Sequence, residues 1–487
     1  MKKFYNRDKE IAALLDIFAE SKQQARFTYL LGQRRVGKTS LVNHVFLKKT
    51  QIISNSSATS NKVLYFFVER KSVEALLFEF TQILQATFEL TPNFKDLSSF
   101  FKYLFEQATH QHLTVIFDEF QNFNYVDGSI FSSLQKLWDQ YKQQSLLNLI
   151  VIGSIYSSME KIFANQHEPL WGRPTDKLVL KSFDLATLWE ILTDHKANTF
   201  DNLLNRYALF NGIPKYWDIL EYRNLLSAKP SRVLEDLFLS PRSLLLNEGK
   251  ELLMEEFGPE YQTYFSIIEA VATLSNVSTQ KIAARTGVKS QHVHTYLTAL
   301  NKKFDLITHR VSILNPSNKK ARYVLKNRFL QTWFRYIFAQ KSLIESSNFE
   351  VILEKFKQNF SSYKGMAFEE LVLELLKKNY QLFPYEGWGQ YWDKNREIDL
   401  VGISKKRHKL LVGECKLSWQ GVNTAVFVKL NEDAVYLSSL LPGYEVEKYL
   451  FVADSSEEFG GAKLGSVKKP EVNGVKIVTG REMVGLL

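Results

Sequence analysis

Eight consecutive residues, Gly32-Gln33-Arg34-Arg35-Val36-Gly37-Lys38-Thr39, fit the spacing G-x-x-x-x-G-K-[ST]. Glycines at that spacing let main-chain N–H groups close around a phosphate chain. Lys38 brings a point charge to the outer phosphates, and the Thr39 hydroxyl is an oxygen ligand for Mg²⁺. A second set of reactive residues ends the apolar run Leu113-Thr114-Val115-Ile116-Phe117 with Asp118-Glu119. Mg²⁺ wants oxygen ligands and keeps several waters, so one carboxylate such as Asp118 suffices to hold it. Glu119, one residue on, is placed to polarise an attacking water. Two adjacent acids favour nucleotide hydrolysis over nucleotide binding alone.

A third set lies far downstream. Asp399 sits inside Arg396-Glu397-Ile398-Asp399-Leu400-Val401-Gly402-Ile403, and Glu414-Cys415-Lys416 ends the run Leu410-Leu411-Val412-Gly413. Residues two apart on a strand face the same way, so Glu414 and Lys416 share a face that Asp399 joins from the neighbouring strand. Two carboxylates can hold a divalent metal beside a lysine that orients water, which is the chemistry of phosphodiester hydrolysis. A surface salt bridge on an edge hairpin is the plainer alternative. Charges inside apolar strands are costly unless paired or bound to metal, which favours the site.

These residues need elements to position them. Phe27 to Leu31 reads as a buried strand before the phosphate loop, and Ser40 to Leu47 as a helix whose N-terminus points at the phosphates. Strands at Val63 to Val68, Leu147 to Gly153 and Lys177 to Leu180 alternate with helices, as in a parallel α/β sheet covered on both faces. Gln51 to Asn61, rich in Ser, Asn and Thr, reads as a surface loop. From Asp184 to about Ser243 the pattern is wholly helical, a lid containing the turn Asn211-Gly212-Ile213-Pro214. Thr279 to Arg285, the turn Thr286-Gly287-Val288 and the helix Ser290 to Lys302 form a helix-turn-helix. Leu306 to Leu314 and Arg322 to Leu325 follow as the strands of a wing, joined by Asn315 to Lys320. The tail opens with a helix from Met366 to Lys377, carrying Glu369. The chain therefore divides into 1–183, 184–254, 255–345 and 346–487.

Composition narrows the function classes. At 45% hydrophobic and 14% aromatic residues over 487 positions, the chain is globular with a large core. A net charge of +10 suits an acidic partner, DNA first among them. Lys289, Lys302, Lys303, Arg310, Lys319, Lys320, Arg322 and Lys326 cluster in the wing unit, with Gln291 and His292 placed to meet bases. The same unit used for packing or protein contacts is an equal reading. The single cysteine, Cys415, excludes an intramolecular disulfide and a multi-cysteine zinc site. No leader-like or membrane-spanning apolar run is present, so the expected place is the cytoplasm, with no membrane partner.

Taken together, Phe4-Tyr5-Asn6-Arg7-Asp8-Lys9-Glu10, the phosphate loop, Asp118-Glu119-Phe120 and Gly212-Ile213-Pro214 resemble the archaeal-type P-loop ATPases, relatives of the AAA+ and STAND ATPases. The tail resembles the domain of unknown function often fused to them, which looks like a PD-(D/E)xK nuclease fold. The resemblance implies an α/β P-loop sheet with a helical lid, a winged helix and a small α/β nuclease-like domain. It implies ATP and Mg²⁺ as ligands, cradled by Gly32 through Ser40, with Thr39 and Asp118 at the metal and Glu119 activating water. Pro214 matches the proline that packs near the adenine, and Ser154 the polar sensor of the γ-phosphate. Arg173 sits where an arginine can meet phosphate, in cis or from a neighbouring copy. In the tail, Glu369, Asp399, Glu414 and Lys416 match the acidic helix, D and ExK positions, with Asp399 and Glu414 as the metal pair. Glu397-Ile398 replaces the proline expected before Asp399. Two outputs stay open: an ATPase directed at DNA, or a STAND-like signalling or scaffold switch, oligomeric or partner-bound, with an inert tail.

Overall fold

The computed structural model describes residues 3–48, 62–89, 92–154, 156–274, 277–314, 321–454, 458–459, 462–463, 471–472 and 474–487. The loop expected at Gln51 to Asn61 and the wing tip Asn315 to Lys320 lie outside them. The chain forms two compact units, Met1–Ser182 with Ile213–Lys215, and Phe183–Gly212 with Tyr216–Leu487.

In the first unit the apolar runs become β1 (Arg26–Leu31), β2 (Lys62–Phe67), β3 (Leu113–Asp118), β4 (Leu147–Ile152) and β5 (Asp176–Val179). They form one parallel sheet in the order β2-β3-β4-β1-β5. β3 and β4 are buried at every position. Such continuous burial is what a parallel sheet with helices on both faces demands. Phe27, Leu31, Phe66, Val115 and Phe117 pack on one face, and Leu30, Ile116, Ile150 and Ile152 on the other. Because β4 lies between β1 and β3, the segments leaving Leu31, Asp118 and Ile152 emerge side by side. The expected helix after the loop has two parts: Lys38–Val42 is α-helical, and Asn43–Lys48 widens into π-helix, which keeps Val45 and Phe46 buried.

The second unit opens with the helices Leu185–Asp194 and Phe200–Phe210. Further on, the helices Tyr261–Thr273, Thr279–Thr286 and Ser290–Lys302 pack through Ile267, Ile282, Val293 and Leu297. Gly287, at φ 72°, makes the left-handed turn between the last two. β6 (Ile307–Arg310) and β7 (Arg322–Leu325) follow as an antiparallel pair. β6 is shorter than the expected Leu306 to Leu314. At Ile313 the chain leaves β7 and runs beside β8 (Gly387–Trp392), donating its N–H to Gln390 O at 3.0 Å. Ser312 Oγ accepts from Trp392 N at 2.9 Å. A Cβ on Gly389 would lie 3.1 Å from Ile313 Cβ, so glycine permits the approach.

The helix expected from Met366 begins instead at Phe349 and runs to Lys378. Ile352, Phe356, Phe360, Tyr363 and Ala367 continue its buried face upstream, so nothing stops it earlier. Beyond β8 come β9 (Glu397–Ser404), β10 (Lys409–Lys416), β11 (Glu445–Val452), the short β12 (Glu458–Phe459), β13 (Ala462–Lys463) and β14 (Glu471–Val472), and β15 (Val475–Thr479). The main sheet has the order β14-β15-β11-β10-β9-β8. β9 pairs antiparallel with β10, whereas β10 and β11 are parallel. That parallel step needs a crossover, supplied by the helix Thr424–Leu440, whose Val426, Phe427 and Leu430 join the sheet core.

Candidate functional site

The phosphate loop is shaped by three residues in the left-handed region or near it. Gly32 has φ 155°, and a Cβ there would stand 2.7 Å from Leu180 O. Arg35 (φ 71°) and Gly37 (φ 88°) turn the chain into the helix Lys38–Val42. Arg7, buried, pins the loop by donating to Val36 O at 3.1 Å and Lys181 O at 2.6 Å. The Lys38 ammonium folds back onto the loop, donating to Gly32 O at 2.7 Å and Gln33 O at 3.0 Å. Gln33 and Arg34 are half-buried in the turn, Val36 is buried beneath it, and Ser40 is exposed on the first helical turn.

β3 carries Asp118 to the same place. Thr39 Oγ1 donates to Asp118 Oδ2 at 2.5 Å, and Tyr65 OH donates to the same oxygen at 2.8 Å. Burial and then Asp118 raise the Tyr65 phenol, so it stays a neutral donor. Glu119, at φ 55°, turns its carboxylate toward the end of β4. The Ser154 hydroxyl lies 2.7 Å from both Glu119 oxygens, and the Gln121 amide also donates to Glu119. Pro214 begins the helix Pro214–Tyr222, and Lys215 N donates to Arg35 O at 3.3 Å, which brings this turn to the loop.

Arg173 does not join them. It precedes β5, which starts alongside Thr28 in β1, so it stands at the opposite sheet end from the loop after Leu31. Its guanidinium donates to Asp139 at 3.2 Å and to Trp171 O at 2.9 Å. The expectation of a phosphate contact in cis is therefore corrected.

In the tail, Glu414 is 3% exposed, yet each oxygen holds an ammonium: Lys416 at 2.7 Å and Lys429 at 2.8 Å. Asp399 Oδ2 accepts from Cys415 N at 3.0 Å, and Glu369 Oε2 from Gln390 Nε2 at 2.8 Å. Burial, then Asp399, pushes the Glu369 carboxyl up to about 8. Burial, then Glu414, pushes Asp399 up to about 6. The same three acids surround the buried Cys415 thiol, raised first by burial. Asp399, Glu414, Lys416 and Glu369 thus meet in one pocket. Yet among the described residues no three Asp, Glu, His or Cys side chains are set to hold a metal ion. The donor set as folded does not fit a bound metal.

The basic face is also redrawn. Arg310 pairs with Glu370 at 2.6 Å, Arg322 with Glu397 at 2.5 Å, and Lys326 with Asp305. These three are bound internally because the wing strands lie against the acidic tail. Lys289, Lys302 and Lys303 remain exposed, with Gln291 and His292. Lys319 and Lys320 lie outside the described residues.

Tyr65, Gln121, Gln390 and Lys429 were invisible to sequence reasoning. Each reaches its acid from a separate element, and no local spacing marks them.

Residues 4–216 match a family model described as an ATPase domain predominantly from Archaea, and residues 333–427 one described as archaea bacterial proteins of unknown function. An uncharacterized protein of Methanocaldococcus jannaschii is 27% identical over 462 residues, 93% of this chain and 96% of that protein. The Walker-type ATPase of Pyrococcus abyssi aligns with TM-score 0.48 at 20% identity, over 68% of this chain and 96% of its own. The Aeropyrum pernix ORC2 protein, solved in ADPNP-ADP complexes, aligns with TM-score 0.44 at 15% identity, over 71% and 96%. By the first family match, the chain carries an ATPase-type P-loop domain. Among the described residues no helix is long and apolar enough to cross a membrane.

Proposed function

We propose that the chain is a Mg²⁺-dependent ATPase of the AAA+/STAND-like kind whose nucleotide state is read out on DNA through a winged helix. The carrying observation is the contact between Thr39 and Asp118, two hard oxygen donors from separate elements at 2.5 Å. Only neutral hydroxyls and an amide N–H hold Asp118, so its charge remains for a cation. Thr39 and Asp118 would hold Mg²⁺, which when bound neutralises charge on the phosphates. Lys38 exchanges the carbonyls of Gly32 and Gln33 for phosphate oxygens. Glu119 orients water, and Ser154 and Gln121 fix its carboxylate. Pro214 closes on the base side, and Arg173 serves a neighbouring copy. The test is ATP turnover with and without Mg²⁺. Unchanged turnover and ATP affinity in Lys38→Ala would remove this reading.

The DNA output rests on the exposed Lys289, Gln291, His292, Lys302 and Lys303. Lys302→Glu with Lys303→Glu should weaken DNA binding and flatten its salt dependence by about one slope unit per lost phosphate contact. Identical affinity and slope would sink the output. A second reading, a switch with a protein partner and an inert tail, is favoured by the internal pairing of Arg310 and Arg322 and of Glu414. Mn²⁺-dependent cleavage of DNA that Asp399→Asn abolishes would decide for a nuclease-like tail.

A further inference from the structure

We infer that Lys429 is the resident cation of the tail pocket and competes there with a divalent metal for Glu414. This rests on reading Asp399 and Glu414 as a potential metal pair.

The two ammoniums on Glu414 are not equivalent. Lys416 sits two residues along β10, on the face that strand geometry dictates, and its side chain is 29% exposed. Lys429 comes from the crossover helix Thr424–Leu440, and its side chain is 44% exposed. Its neighbours Phe427 and Leu430 bury the helix against the sheet, while its own long stem reaches to Glu414 from the solvent edge. Lys429 can withdraw to water by rotating its stem without disturbing a strand.

The charges explain why no metal-ready group forms. Asp399 and Glu414 carry two negative charges, and Lys416 and Lys429 two positive ones, so the set is neutral. A neutral pocket offers a hard dication little attraction. Asp433, four residues beyond Lys429, is itself bound by Arg396 at 2.9 Å and does not offset this balance. Taking Lys429 away leaves one uncompensated negative charge beside Asp399. The acids then have reason to draw together on a cation.

The test is calorimetric titration with MnCl₂ alone on the full chain. Every protein carries Asp118→Asn, so that the heat comes from the tail. Lys429→Met, which keeps the apolar stem, should bind Mn²⁺ tighter on the order of tenfold. Lys429→Arg, which keeps the charge, should match the parent and serves as the folded control. Adding Asp399→Asn to Lys429→Met should erase the gain. Equal, measurable Mn²⁺ affinity in parent and Lys429→Met would overturn the inference and leave the metal pair standing. No binding by either would remove the metal-pair reading itself.

Discussion

Asp118 and Glu414 are both carboxylates at the end of an apolar strand, both nearly buried, and both bonded through their side-chain oxygens. Their partners differ in charge. Asp118 is held by the hydroxyls of Thr39 and Tyr65, Glu414 by the ammoniums of Lys416 and Lys429. Hydroxyls orient a carboxylate and leave its charge; ammoniums cancel it. Burial and residue type alone therefore do not mark a cation site. What counts is whether the hydrogen-bond donors around the acid bring charge of their own.

The largest effect should come from the first of these sites. Glu119→Gln should keep nucleotide bound while slowing ATP turnover by roughly 10²–10⁴-fold, the range for a positioned base. Asp118→Asn should instead weaken Mg²⁺-dependent binding. Glu414→Gln should leave turnover unchanged. Steady-state hydrolysis and nucleotide titration on the three variants check this, and a loss in Glu414→Gln comparable to that in Glu119→Gln would break the contrast between the sites.

A second test concerns an acid whose compensation is complete. Burial alone would raise the Glu370 carboxyl, but Arg328 and Arg310 outweigh it and hold it low. Arg328 is 2% exposed and also donates to Met366 O. Arg328→Met leaves Glu370 with Arg310 alone and should cost about 3–5 kcal/mol, the usual result of removing one partner of a buried pair. Denaturant unfolding measures it. A loss below about 1 kcal/mol would show that Glu370 is readily rehydrated.

The next residue along the helix behaves oppositely. Glu369 is pushed up to about 8 by burial and Asp399, from an ordinary 4.5. Between those values the folded chain holds a proton that the unfolded chain has released. Stability from this group is thus complete below about pH 4.5 and falls as pH rises toward 8. Glu369→Gln should remove that slope and gain roughly 1–3 kcal/mol over the parent above pH 8. Parallel pH profiles for the two proteins would contradict it.

Much of this arrangement was legible in advance. The parallel sheet followed from continuous apolar runs between amphipathic helices, and Lys38, Thr39, Asp118 and Glu119 from spacing and strand ends. Glu414 and Lys416 followed from the two-residue period of a strand. The missing parts are those that sequence separation hides. Lys429 reaches Glu414 from a crossover helix, and Tyr65 reaches Asp118 from β2. Arg173 looked close to the phosphate loop because it precedes a strand neighbouring β1, but strand direction places it at the far sheet end. The basic wing misled for a different reason. A run of Lys and Arg states a charge, and only the fold shows that Glu370 and Glu397 already answer two of them.

Those two answers are unequal, and the weaker one gives the smallest expected effect. Arg310 meets Glu370 inside the second unit, whereas Arg322 meets Glu397, whose side chain is 51% exposed. Arg322 also lies over the Trp392 ring, 4.4 Å from its centroid, which holds the guanidinium in place without the carboxylate. Glu397→Gln should therefore change stability by no more than about 1 kcal/mol, as for other exposed pairs. The hairpin stays fixed to β8 through the Ile313–Gln390 and Ser312–Trp392 bonds. If the wing faces DNA, the uncovered Arg322 should add about one phosphate contact and steepen the salt dependence of binding by about one unit. If the wing faces only the tail, affinity and slope should match the parent. Filter binding across a salt series separates the two outcomes, because the substitution adds no basic group and simply releases one.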